Sequence, residues 1–186
     1  MPDPVNSPRH SLFAFLRLVR DLCQLRRGPE DMPYAPQLLL CLIVASVLLD
    51  MALGAVLGVE GSILPRSLMS TALILGLCWT ALTARGLGAR FVQAASALVA
   101  CAMVFSLLML PIAALTGAPP DTPEQLTPLQ VLLAWTALAV IVWKLSVDAH
   151  ILRHALNAPF ALGFLLAVAW ALADWALGRA VFHGVG

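Results

Sequence analysis

The sequence predicts an all-α integral membrane protein: five transmembrane helices preceded by an N-terminal amphipathic interfacial helix. Three observations predict it. Of the 186 residues, 61% are hydrophobic and only 11% charged, whereas soluble chains carry about 25% charged residues. Apolar runs near the ~20 residues that cross a bilayer core recur five times. The arginines and the lysine collect on one side of those runs, as the positive-inside rule expects of short loops.

Residues 1–36 read as a cytoplasmic segment and 37–180 as the transmembrane domain. Residues 1–10 are Pro-rich, and residues 11–27 form one amphipathic helix. At about 100° per residue, Leu12, Phe15, Leu16, Leu18, Val19, Leu22 and Leu25 share one side. Arg17, Arg20, Asp21, Gln24 and Arg27 share the other, and Phe13 and Arg26 break the pattern. A basic face opposite Leu and Phe suits a helix lying among lipid headgroups; packing beneath the bundle is the alternative. Gly28-Pro29 ends this helix, and the linker GPEDMPYAP leads to the membrane. The first long apolar run starts after residue 36 and exceeds a signal-peptide core, so no cleavable signal is expected.

The spans are placed at about 37–59, 67–84, 91–115, 128–147 and 158–177, with Pro111 near the end of the third. The connection GAPPDTPEQLTP between the third and fourth has two acids and no Lys or Arg, which makes it extracytoplasmic. With a cytoplasmic N-terminus, Arg9, Arg17, Arg20, Arg26, Arg27, Arg85, Arg90 and Arg153 lie inside, Lys144 close by, and only Arg66 and Arg179 outside. Five spans then place the C-terminus outside, and a bacterial inner membrane is the expected location. Ten of the eleven basic residues are Arg in an Ala- and Leu-rich chain, which fits a bacterium of high genomic GC content.

Charge inside a membrane is costly, roughly 2.5–3.5 kcal/mol at a helix centre on insertion scales, so each such residue calls for a reason. Asp50 falls about 20 Å along span one and Asp174 about 24 Å along span five, from the helical rise. Asp50 shares a stripe with Gly54 and Gly58, and small residues at that spacing let another helix approach. A polar layer of Asp50, Asp174, Arg66 and Arg179 follows, either registering helices or holding a proton or ion. Lys144 and Asp148 are i, i+4 and can pair, in the less favourable order. Lys144 points back toward the membrane, which suggests a partner on a neighbouring helix; by depth it stands more than ~10 Å from Asp50.

His150 and His154 form HxxxH. A metal site normally takes three or four ligands, and no third is at hand, so the expected role is a basic interfacial patch with Arg153. Cys23, Cys41, Cys78 and Cys101 lack CxxC or zinc spacing and read as small core residues. The net charge of +1 excludes a polyanion partner such as nucleic acid. There is no GxSxG, HExxH, Walker loop or dinucleotide turn. No catalytic residue and no cofactor is predicted, and the protein reads as a non-enzyme.

The layout resembles the Yip1 family of small membrane proteins. The shared features are a cytoplasmic N-terminal segment, a Gly-Pro approach (Gly28-Pro29, then Pro33-Tyr34), five closely spaced spans and an outside C-terminus. The resemblance covers residues 28–180 and implies a non-enzymatic, membrane-organising role; the link of eukaryotic members to small GTPases does not carry over. The leading expectation is thus a non-catalytic accessory or scaffold protein. Its partners would be the bilayer and either another membrane protein or a second copy of itself. The alternative is a small oligomeric, proton-linked transporter or channel using Asp50, Asp174 and Lys144.

Overall fold

The computed structural model describes residues 8–58, 63–116 and 127–182, and every described element is helical. Residues 1–7, Val59, the 117–126 part of the acidic loop and His183 lie outside the described residues, as do the side chains of Arg9 and His10. The helices are α1 (Pro8–Cys23), α2 (Pro36–Val56), α3 (Ile63–Ala84), α4 (Phe91–Thr116), α5 (Pro128–Ala155) and α6 (Phe160–Phe182). Short 3₁₀ turns, Pro29–Asp31 and Gly88–Arg90, precede α2 and α4. Helices α2 to α6 are each long and apolar enough to cross a membrane, so this is a multi-pass membrane protein.

Helix ends differ from expectation for local reasons. Helix α1 stops at Cys23 rather than Arg27, because Leu25 takes a left-handed conformation (φ 61°). The Arg26 N–H then reaches back to the Asp21 carbonyl and the Leu25 N–H to Leu22, the hydrogen-bond pattern that closes a helix. Helix α3 starts at Ile63, four residues before Ser67, because Pro65 is tolerated in a first turn where the N–H has no helical acceptor. Helix α5 runs on to Ala155 instead of ending near Val147. Its last turns are the most buried part of it, with Val147, Ala149, Ile151 and Leu152 fully inaccessible. It ends where Asn157 adopts φ 49°, a position Asn tolerates. At its start Thr127 and Gln130 form a reciprocal capping box, and Gln130 also donates to the Thr116 carbonyl, tying α4 to α5.

The packing pairs α2–α3, α3–α6, α6–α5, α5–α4 and α4–α2 close a ring of five helices. Outside the ring, Leu40, Leu48, Leu132, Trp135, Leu165 and Leu172 are exposed, as a bilayer-facing surface requires. The dense core lies at the α1 end. There, Ala94 to Cys101 of α4 are buried all round, enclosed by α1, α2, α5 and the chain that follows α1. Small side chains make this possible, since Ala lets neighbouring backbones approach. Gly163 shows the same logic: a Cβ there would overlap the Ala149 carbonyl oxygen and lie 3.2 Å from the Arg153 nitrogen. Sequence reading passed over that α5–α6 contact, although Gly163 and the buried Ala167 stand four residues apart.

Helix α1 answers both alternatives at once. Val19, Leu22 and Cys23 are buried against α4 and α5, so its last turns belong to the core. Leu12, Phe13 and Leu16 are more than half exposed. The Trp143 indole donates to the Cys23 carbonyl at 2.9 Å, satisfying a helix end that lacks an internal acceptor's partner. The Cys23 thiol takes a hydrogen bond from Cys101, which holds its pKa below the ordinary value. Cys78 and Cys101 are buried as core residues, while Cys41 is exposed.

Candidate functional site

Two groups of polar residues lie within the fold, one at the α1 end of the ring and one deeper inside it. At the α1 end the residues after α1 form a strap held by side chains of α4 and α5. Gln93 donates to the Met32 carbonyl at 2.7 Å and to Glu30 at 3.2 Å. The His150 ring nitrogen meets the Arg27 carbonyl at 3.1 Å, and the His154 ring lies 3.3 Å from the Glu30 carboxylate. Arg90 reaches the carbonyls of His154 and Ala155 and the Asn157 side chain, neutralising the carbonyl end of α5. A cleft of about 260 Å³ remains between Glu30, Arg90, Gln93 and His154.

This placement corrects the expectation for His150. The residue is buried and faces the strap, not lipid headgroups, because the continuous α5 turns it toward the Arg27 carbonyl. His154 stacks beside it, ring centroids 4.6 Å apart, and Arg153 contacts the His154 ring at 3.2 Å. Arg17 and Arg20 stay on the surface; Arg20 pairs with Asp21, and Arg27 approaches Asp21 and Asp31 at 3.9 and 3.8 Å. Exposed pairs of this kind contribute about 0–1 kcal/mol.

The second group lines a cavity of about 550 Å³ inside the ring, walled by all five spanning helices. Asp50 enters from α2, Lys144 and Asp148 from α5, and Asp174 from α6. Ser46, Ser70, Thr71 and Ser106 add hydroxyls, and Phe105, Met103 and Trp170 supply apolar wall. Counted from their helix starts at the α1 end, Asp50 and Asp174 both stand about 21 Å along. On the antiparallel α5, Lys144 stands about 16 Å and Asp148 about 10 Å from that same end. Lys144 is thus nearer in depth to Asp50 than expected, because α5 continues to Ala155. The charges therefore sit at different levels of one cavity.

Pairing within the cavity departs from expectation. Lys144 bonds Asp148 on its own helix at 2.6 Å, not a group on a neighbouring helix. Asp50 accepts a 2.6 Å hydrogen bond from Ser67 of α3, and no arginine pairs with it among the described residues. Arg179 instead lies over the Trp175 ring at 5.2 Å, and Arg66 Nη2 lies beside Gly178 of α6. The expected four-residue layer is thus not joined by ion pairs: neither arginine forms one with Asp50 or Asp174 among the described residues. Asp174 has a carboxylate oxygen, Oδ1, that is buried without any hydrogen-bond partner. Buried polar atoms rarely go unmatched, and the exceptions call for an explanation.

The two glycines of the Asp50 stripe separate. Gly54 is buried, and a Cβ there would overlap the Ile63 side chain, so it does serve the α2–α3 contact. Gly58 touches nothing within 4 Å; its φ of +63° closes the end of α2, so it is a turn residue, not a packing residue. Missed by sequence reading were Ser67, Ser70, Thr71 and Ser106. Their signal was present, since hydroxyls in apolar spans usually face protein, but only the ring shows that they share one volume with Asp50 and Asp174. Compared with protein families, curated proteins and solved structures, the chain matches no family model, no curated protein and no solved structure.

Proposed function

We propose that the chain is a small, non-catalytic, proton-linked solute carrier or channel whose site is the cavity inside the ring. One observation carries this reading: three carboxylates and one ammonium from three helices line a single cavity of about 550 Å³, within the size range of small-molecule sites. Ionisable groups that face a bundle interior mark ion or substrate paths. Asp174 keeps a carboxylate oxygen without a partner among the described residues, beside the hydroxyls that line the same cavity. The ionisable groups facing the cavity are Asp50, Lys144, Asp148 and Asp174; α3 and α4 contribute hydroxyls. Positive-inside reasoning supports a cytoplasmic α1 end and a bacterial inner membrane.

Reconstitution tests it. Proteoliposomes with an imposed pH gradient should pass protons or solute in wild type and far less with Asp50→Asn or Asp174→Asn. Wild type and both variants equally silent at every pH would remove the reading.

A second reading, an accessory or scaffold that binds membrane partners or lipid, has its own support. Leu12, Phe13 and Leu16 project from a helix whose other end is locked in the core. The Yip1-like layout favours the same role. A stoichiometric partner protein co-purifying in mild detergent, and lost with Phe13→Glu, would favour it over the carrier.

A further inference from the structure

We infer that the cavity binds a lipophilic organic cation, with Asp174 as the counter-charge; this rests on reading the cavity as the functional site. Three features of the lining select the ligand class. The first is charge: Asp50, Asp148 and Asp174 face the cavity against Lys144 alone, and Lys144 is already matched by Asp148. What remains is an excess of negative charge at the level of Asp50 and Asp174. Asp50 has a partner in Ser67, whereas Asp174 lines the cavity with no ion-pair partner among the described residues, so it is the group that a ligand's positive charge would satisfy.

The second is shape. A bare metal ion needs several oxygen ligands converging within about 2.0–2.6 Å of one point. Here the carboxylates are split between two levels more than ~10 Å apart. The cavity suits a bulky molecule with one charged centre. The third is wall chemistry: Phe105, Trp170, Met103 and Met109 lie beside the carboxylates. Aromatic faces and thioethers accept apolar bodies and attract cations. An anionic ligand of equal size would be repelled by Asp174, and a neutral one would leave its charge uncompensated.

The probe is tetraphenylphosphonium, with tetraphenylborate as its anion of matching shape, measured by equilibrium dialysis on the full chain in detergent. Saturable binding of the cation at one site per chain is expected, without competition from the borate. Asp174→Asn should weaken it by about tenfold or more, and Asp174→Glu should restore it. A melting curve like that of wild type certifies that each variant is folded; Asp50→Asn, expected to weaken binding less, serves if Asp174→Asn does not fold. Equal uptake of both ions, or cation binding that a folded Asp174→Asn retains in full, overturns the inference. The carrier reading fails separately. Specific cation binding without flux in proteoliposomes would keep the ligand class and remove transport, while proton flux without cation binding would do the reverse.

Discussion

The α1 end of the helix ring and the cavity deeper inside it solve the same problem in opposite ways. At the α1 end most buried polar groups are matched: His150 on the Arg27 carbonyl, Gln93 on Met32, Trp143 on Cys23, Arg90 on the end of α5, with the Ser96 hydroxyl the exception. Around them α4 packs solidly from Ala94 to Cys101. Deeper in the ring the five helices line a cavity, and Asp174 Oδ1 is left without a partner. Matched polar groups with full packing make a rigid frame. Unmatched ones beside open volume weaken a fold, and are kept where a ligand or proton completes them.

If that contrast is right, equal chemical changes have unequal effects in the two regions. The largest effect should come from Gly163→Val, which drives a branched side chain into the Ala149 carbonyl. A loss of about 3 kcal/mol, or failure to accumulate, is expected in detergent melting curves. Trp143→Ala removes both the hydrogen bond to Cys23 and the edge-to-face contact with Phe105. It should cost about 2 kcal/mol and expose α1 to protease; protection as in wild type would show that α1 is held by its apolar face alone.

His150→Ala leaves the Arg27 carbonyl unmatched, with an expected cost of about 1.5 kcal/mol and faster hydrogen exchange across residues 28–34. Exchange unchanged there would mean that Gln93 alone secures the strap. Smallest is Asp174→Asn, which removes an unmatched buried carboxylate. Its melting temperature should stay level or rise slightly, while flux and cation binding fall. A melting loss as large as that of His150→Ala would erase the distinction between the two regions and make Asp174 a structural group.

Asp50 and Gly163 show where legibility stopped. Asp50 could be singled out because a charge in an apolar run is conspicuous whatever surrounds it, and its depth followed from counting residues. Its partner could not: Ser67 was taken as the first residue of its span, and helix spacing says nothing about which helices are neighbours. Gly163 had a local signal in Ala167 at i+4, but such pairs recur through these Ala-rich spans and do not say which backbone approaches.

The sequence alone determined the five apolar helices, the amphipathic helix before them and the depth of Asp50 and Asp174. These follow from helix rise, residue hydropathy and the cost of bare backbone in lipid, all of which act within a segment. Only the tertiary structure decided that α2, α3, α6, α5 and α4 close a ring. That ring turned His150 inward, set Arg179 over Trp175, and gathered Asp50, Lys144, Asp148 and Asp174 around one cavity. Side-chain partners are chosen by which helices touch, and in a bilayer that depends on shape complementarity between faces that are almost equally apolar.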